Sequence, residues 1–433
     1  MSISTRHAVA LILAGIFLDG CSKSSGDAEI RILNASIDYS SLDLYLNNGT
    51  TNTREITAAT YGTLTDYLGV GSNSYTVEFT RNGVSSSLDS IDEKLSQGTY
   101  KTYVAYGNSG KFGILEIAEN QTQPDSSYTK VELLDAAPDA GSIDVYLTDP
   151  SVALADSSPT FTGVSGGTIA SAGFVTLASG TYRLRVTAAG SQTDIRLDSV
   201  TGITFSSQEI LSIVVTGTSG GVLVNATAIP QQSTTQRPIN TTYARVRAAA
   251  GIPPGSNLTA TLGGTNLLGA AAANTVSQYA LVTAGTQTLN LTLNGAALPA
   301  SSQALTAGED YTVLVLNGAG VSGTTTTLIT DDDRLPSTSS YAKIKLVNAM
   351  SALGDPLTLN VNYTPVASAI TLGNASASTE VTAGTNTEID TVDANTSTTL
   401  FTNTTATLTG SEVYDLFMFG TAASTVGALR VNR

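Results

Sequence analysis

Histidine, cysteine and tryptophan are almost missing from this chain. It has one His (His7), one Cys (Cys21) and no Trp in 433 residues. Past Cys21 the sequence contains no imidazole and no thiol. A Ser-His-Asp triad or a Cys-His pair needs that imidazole, and the usual zinc sites are built from Cys and His. Both chemistries are excluded, and the reading is non-enzymatic. The lack of Trp weakens the case for a sugar-stacking surface. Charge is scarce too: charged residues make up 13%, with 20 basic against 35 acidic, for a net −15. Binding to nucleic-acid phosphates needs clustered Lys and Arg, so nucleic acid is excluded as a partner. The apolar run Ala8 to Leu18 (AVALILAGIFL) falls short of the roughly 20 residues that span a bilayer.

That run suits the central region of a secretory signal peptide, about 7–15 residues long, with Arg6 and His7 as the polar segment before it. It ends in Leu18-Asp19-Gly20-Cys21, which resembles the lipobox of bacterial lipoproteins. The resemblance implies cleavage between Gly20 and Cys21. It also implies diacylglycerol on the Cys21 thiol and a further acyl chain, such as palmitate, on the new amine. Asp19 departs from the pattern, where a small uncharged residue is usual. Cys21 has no intramolecular disulfide partner, so acylation accounts for a thiol that would otherwise stand exposed outside the cell. Residues 21–28 read as a lipidated tether, small and polar from Ser22 to Asp27. Ser22, rather than Asp, follows the Cys. In a Gram-negative host that favours the outer membrane.

Small and β-prone residues fill the space that charge leaves, and 41% of the chain is apolar, enough to bury a core. Internal repeats are visible. Leu33 to Leu46 (LNASIDYSSLDLYL) and Leu134 to Leu147 (LDAAPDAGSIDVYL) align without a gap and share seven of fourteen residues. Tyr243 to Arg247 and Tyr341 to Ala349 open two further copies. A Gly turn recurs mid-repeat (Gly180, Gly285, Gly384). A stronger apolar strand ends on Gly or next to it in each copy: Tyr100 to Gly107, Ile210 to Gly217, Tyr311 to Gly318 and Tyr414 to Gly420. Those runs read as central strands buried on both faces. With about seven short strands in roughly 100 residues, each copy fits an immunoglobulin-like sandwich. The expected fold is all-β: four tandem immunoglobulin-like antiparallel β-sandwiches at 29–122, 128–230, 241–332 and 340–433, after a signal peptide at 1–20. The segments between repeats are polar and carry Pro124, Pro230, Pro238 and Pro336, which stiffen a spacer. Four such domains in series, at roughly 35–40 Å each, would reach well over 100 Å.

The Leu134–Leu147 run resembles the bacterial domain-of-unknown-function family 4397. The shared pattern is an alternating strand, a Pro-Asp-Ala turn, an Asp-Val-Tyr strand and a later Gly-Thr-Tyr strand, here Gly180-Thr181-Tyr182. The resemblance implies tandem, secreted or lipid-anchored, immunoglobulin-like sandwiches, and it implies no activity. The third and fourth repeats depart from it: Thr259 and Thr358 stand where Asp43 and Asp144 stand in the first two.

A few local patterns suggest chemistry. Gly163 to Gly167 and Gly217 to Gly221 match G-x-S-x-G, but no base and no following helix accompany them, so they read as turns. Ser127 to Lys130 and Ser340 to Lys343 match Ser-x-x-Lys, but each leads into a strand, where the Lys points away from the Ser. Asp38, Asp43, Asp139 and Asp144 read as turn residues that cap backbone N–H groups. Paired-carboxylate catalysis is the weaker alternative, as is calcium. Asp331-Asp332-Asp333 is the one acidic run in a linker. It reads either as a solvated charge run or as a Ca²⁺ site stiffening the joint; no other cofactor is implied. The sequence therefore reads as a lipid-anchored envelope or surface module, structural or adhesive. The partners are the membrane, through the lipid, and an envelope protein or glycan. A glycan- or small-ligand-binding lipoprotein is the alternative.

Overall fold

The computed structural model describes residues 27–318 and 320–433. Gly20 and Cys21 lie outside the described residues. Strands dominate, and no α-helix occurs among the described residues.

The first repeat sets the pattern. Its strands are β1 (Asp27–Ser36), β2 (Ser41–Asn47), β3 (Asn52–Thr60), β4 (Leu68–Gly71), β5 (Asn73–Arg81), β6 (Ser87–Leu95), β7 (Tyr100–Gly107) and β8 (Gly113–Ala118). They form two four-stranded sheets, β4-β1-β7-β8 and β3-β2-β5-β6. Alternation along the strands supplies the core between them. Ile30 and Ile32 of β1, Leu42, Leu44 and Leu46 of β2, Val77 and Phe79 of β5, and Tyr103 and Ala105 of β7 fill it. The other three repeats repeat this plan, each with its own buried cluster. The chain is thus four β-sandwiches, as the repeats indicated, with eight main strands in the first where about seven were expected.

One pairing breaks the antiparallel rule. The first strand of each repeat lies parallel to the strong late strand: Glu29 opposite Tyr100 through Ser36 opposite Gly107. The same holds for Lys130–Ile210, Arg245–Asp310 and Lys343–Val413. This parallel pair sits at the centre of its sheet, which explains why both strands are apolar on two faces. The inward residues of β1 and β7 enter the repeat's own core. The outward ones, Leu33, Ala35 and Val104, join Leu134, Ala136, Val214 and Ile229 of the second repeat in a separate buried cluster. Repeats three and four meet in the same way, through Ala249, Leu314 and Leu316 against Val347, Ala349, Phe417 and Phe419. Phe417 and Phe419 stack with ring centroids 5.9 Å apart.

The repeats are therefore not beads on a string. They are fused face to face in two pairs, and the extended series expected from the polar linkers is incorrect. The linkers themselves are structural. Arg237–Ile239 adds an edge strand to the second repeat, pairing Ala226 with Ile239. The segment before it folds back on the first repeat: Arg31 donates to the Ser233 carbonyl, and Gln236 to the Gly62 carbonyl at 2.9 Å. The two pairs also touch. Gly220 donates its N–H to the Gly308 carbonyl at 3.1 Å, and Asp333 donates to the Gly220 carbonyl at 3.2 Å.

Candidate functional site

The outward face of each parallel strand pair is apolar at one end and charged at the other. In β1 the outward series is Arg31, Leu33, Ala35, and in β7 it is Thr102, Val104. Arg31 is fully buried. Its Nε donates to Thr102 Oγ1 at 2.7 Å and its Nη2 to Glu119 Oε1 at 3.0 Å. Tyr67 donates its hydroxyl to Glu119 Oε2 at 2.5 Å, and its ring lies under the guanidinium, 4.2 Å away. The third repeat rebuilds this set. Arg247 Nε donates to Thr312 at 2.9 Å, Thr312 and Tyr279 each donate to Asp331 at 2.6 Å, and Arg247 lies 4.5 Å over the Tyr279 ring. Two of the four repeats, the first and the third, thus carry one Arg-Tyr-Thr-acid network.

Between repeats three and four this network extends into four alternating charges. Arg247 and Lys345 both contact Asp415, and Lys345 also contacts Asp331. All four are buried. Burial alone would raise the Asp331 carboxyl, but Lys345 and Arg247 outweigh it and hold Asp331 low. Burial prevails at Asp415, which is pushed up despite Lys345 and Arg247. Next to this set, Arg245 Nη1 donates to Asp310 at 3.1 Å and lies 4.0 Å from Asp333. Burial raises Asp310 well above the ordinary carboxylate range, against the pull of Arg245 and with Asp333 adding to the rise. Asp310 Oδ1 and Asp333 Oδ2 are both buried without a hydrogen-bond partner. Both side chains are fully buried.

The sequence-derived acidic residues take particular places. Asp331, Asp332 and Asp333 do not converge. Asp331 belongs to the last strand of the third repeat, Thr324–Asp331, and serves Lys345, Thr312 and Tyr279. Asp332 is held by Arg334 and Lys343, each at 2.9 Å. Asp333 accepts from Asn432 at 2.7 Å. Fixed cations already occupy the run, so neither the calcium site nor the solvated charge run describes it. No cluster of three or more metal-ligating side chains occurs among the described residues.

Asp43 and Asp144 do cap backbone, across strands. Asp43 accepts from the Ala58 N–H at 2.8 Å and the Gly83 N–H at 3.0 Å. Asp144 accepts from Gly163 at 2.7 Å and Gly190 at 2.8 Å. Ala58 and Gly163 have positive φ (53° and 61°), so the carboxylate pins a kink in the neighbouring strand. Thr259 and Thr358 do half this job, accepting from Ala270 at 3.0 Å and Ala369 at 3.3 Å. Asp38 and Asp139 act between segments. Asp38 accepts from the Ser109 N–H and pairs with Arg334, at 2.8 and 2.9 Å. Asp139 accepts from Asn108 at 2.8 Å and from the Leu335 N–H at 3.1 Å.

The second G-x-S-x-G run is a contact between repeats. A Cβ on Gly221 (φ +92°) would stand 2.6 Å from the Arg334 nitrogen, and one on Gly220 would stand 2.6 Å from the Gly308 carbonyl oxygen. In the Ser-x-x-Lys runs, Lys130 turns to the Thr122 carbonyl and Lys343 to Asp332.

Where the two pairs meet, two clefts flank Arg245. One, about 310 Å³, is lined by Thr193, Asp194, Arg245, Gln278, Tyr279 and Asn432. The other, about 530 Å³, includes Ala188, Ala189, Arg196, Val222, Leu335 and Arg433. No motif announced these clefts, because their walls come from the second, third and fourth repeats together.

The sequence family described as Domain of unknown function (DUF4397) matches residues 28–146 and 244–355. The chain belongs to the DUF4397 family. Each matched stretch starts in the first strand of an odd-numbered repeat and ends shortly after the first strand of the next. No curated protein matches the chain. Among solved structures, a family 26 carbohydrate-binding module of Eubacterium rectale Amy13K, in complex with maltoheptaose, is 14% identical. That match covers 47% of this chain and 97% of the module, with a TM-score of 0.16. The Bacillus anthracis TIE protein is 11% identical over 67% of this chain and 50% of its own, with a TM-score of 0.15.

Proposed function

We propose that this DUF4397 chain is a lipid-anchored, non-enzymatic module of a bacterial cell envelope, a preassembled block that presents its loops and strand edges to a partner. The observation that carries this reading is the fusion of the sandwiches. Outward faces that separate domains would leave in water are spent on two buried inter-repeat clusters. The buried ionic side chains are spent in the same way, on joining repeats. Such a block suits holding a shape at a surface, where exposed loops carry recognition. Cys21, the only thiol in the chain, supplies the attachment, and two or more acyl chains anchor stably where one does not.

The test is the intact mass of the protein extracted from membranes, wild type beside Cys21→Ser, together with protease shaving of whole cells. The expected result is a wild type that starts at Cys21 with added acyl mass and stays with the membrane. The Cys21→Ser form should be released or left unprocessed. A soluble, unacylated wild type would contradict the reading.

A further inference from the structure

We propose that the fourth repeat closes its own covalent cross-link: Lys345 and Asp415 condense to an isopeptide bond, with Asp331 of the third repeat as the proton relay. This inference goes beyond the envelope-module reading and does not depend on the lipid anchor.

One strand position sets the fourth repeat apart. Where the first strand runs beside the late strand, Arg31 faces Thr102, Glu132 faces Ser212 and Arg247 faces Thr312. In the fourth repeat the same position sets Lys345 against Asp415. Of these four pairs, this one alone matches a primary amine with a carboxyl group. Lys345 Nζ lies 3.3 Å from Asp415 Oδ2, which is one bond from the carboxyl carbon. It also donates to Asp331 Oδ1. Lys345, Asp415 and Asp331 are only 2%, 0% and 1% exposed. Held together away from bulk water, the amine and the carboxyl group have the proximity that favours an intramolecular reaction.

The neighbours fit the roles that condensation needs. Arg247 donates to Asp415 Oδ2, where negative charge grows as the amine adds to the carbon. Asp415 Oδ1 has no hydrogen-bond partner and is the oxygen free to leave. Tyr279 and Thr312, each at 2.6 Å, fix Asp331. Burial opposes the Lys345 charge, but Asp331 and Asp415 outweigh it and hold the amine protonated. The step therefore begins with transfer of one ammonium proton from Lys345 to Asp331. The freed lone pair attacks, Nζ bonds to the Asp415 carbon, and the bond from that carbon to Oδ1 breaks. Starting from the ammonium–carboxylate pair, one of the three Nζ protons stays on the amide. The other two leave with Oδ1 as water, one of them by way of Asp331, which ends as the carboxylate it began. Two buried cations and two buried carboxylates thereby become one of each, with Arg247 left 3.7 Å from Asp331. Burying charge is costly even when it is paired, so closure keeps the balance with half the buried charge.

Peptide mass spectrometry of the purified full chain tests this. Cleavage after glutamate puts Lys345 in the fragment 310–380 and Asp415 in the fragment 413–433. The expected product is a branched peptide that joins the two and is lighter than their sum by one water. Trypsin should also fail to cut after Lys345. Lys345→Arg keeps the charge but not the amine, and should give the two fragments apart at full mass. Asp331→Asn removes the relay and should lower the branched fraction at least about tenfold. Separate, full-mass fragments from the wild type would leave Lys345 an ion-pair partner only and overturn the proposal. A water loss confined to 310–380, or a branched peptide that persists in Lys345→Arg, overturns it too. An Asp331→Asn chain that closes as fully as the wild type overturns the relay. The wild type alone decides whether the bond exists, so a variant that misfolds leaves the test standing.

Discussion

Asp135 shows how much one buried atom decides. Its position in the first and fourth repeats is held by Asn34 and Asn348, and each of those donates two bonds from Nδ2 to main-chain carbonyls. Asp135 keeps one of the corresponding contacts, accepting from the Ala137 N–H at 2.9 Å, while its Oδ2 has no partner. Burial pushes it up to about 8. Between an ordinary aspartate value of 3.8 and about 8, the folded chain holds a proton that the unfolded chain has released. Stability therefore falls as pH rises through that window. Asp135→Asn should remove this slope, with a stabilisation that grows from near zero around pH 4 to a few kcal/mol around pH 8. Urea melts at matched pH measure it, and a gain independent of pH would contradict the assignment. Asp43 gives a second prediction at this scale. Asp43→Ala removes the acceptor of two N–H groups on exposed residues, Ala58 and Gly83, at about 0.5–1.5 kcal/mol each. Asp43→Thr, which copies the third and fourth repeats, should recover about half of that loss in the same melts. Equal losses would show that the hydroxyl does not replace the carboxylate. That Asp43 serves backbone was legible from its place at a strand start. Its donors Ala58 and Gly83 were not, because no local pattern marks a kink in the next strand or a distant hairpin.

At the level of strands, the sequence separated the central ones well. Runs such as Ile210 to Gly217 have no polar alternation, and their burial on both faces was legible as such. What covers the second face was not, since a neighbouring sheet and a neighbouring repeat leave the same apolar signature. Phe417 makes the distinction measurable. It belongs to the cluster between repeats three and four and not to the core of the fourth. Phe417→Ala should cost about 3–5 kcal/mol, as for a fully buried ring. Amide exchange should rise on the facing strands of the third repeat, Tyr243–Gly251 and Asp310–Asn317. Exchange confined to the fourth repeat would mean that the sandwiches are stable singly. The charged end of the same interface was hidden for another reason. Arg247, Tyr279, Thr312 and Asp331 lie far apart in the chain and match no spacing rule. The echo of Arg31, Tyr67, Thr102 and Glu119 at equivalent strand positions was the one signal that could have found them. Arg247→Met leaves Asp331 and Asp415 buried with one cation fewer, and should cost about 3–5 kcal/mol. Denaturant melts check this, and a loss below about 1 kcal/mol would mean that the network is solvated like a surface pair.

For the molecule as a whole, the four repeats, their order and their sandwich class were legible, and their arrangement was not. Pro-containing polar linkers look the same in sequence whether they hold domains apart or lie against them. Here Arg334 bonds to Asp38, Leu335 to Asp139 and Arg433 to Gly221, so the linker after the third repeat reaches both members of the first pair. The clefts exist only because of that arrangement, and so does the preassembled block on which the functional reading stands. Small-angle X-ray scattering of the purified protein tests the arrangement most directly. A single compact body of this length has a radius of gyration of about 22 Å, and the account predicts a value within a few ångströms of that. Four sandwiches in line, at roughly 35–40 Å each, would give a value above about 40 Å, and that result would contradict the fused-pair architecture.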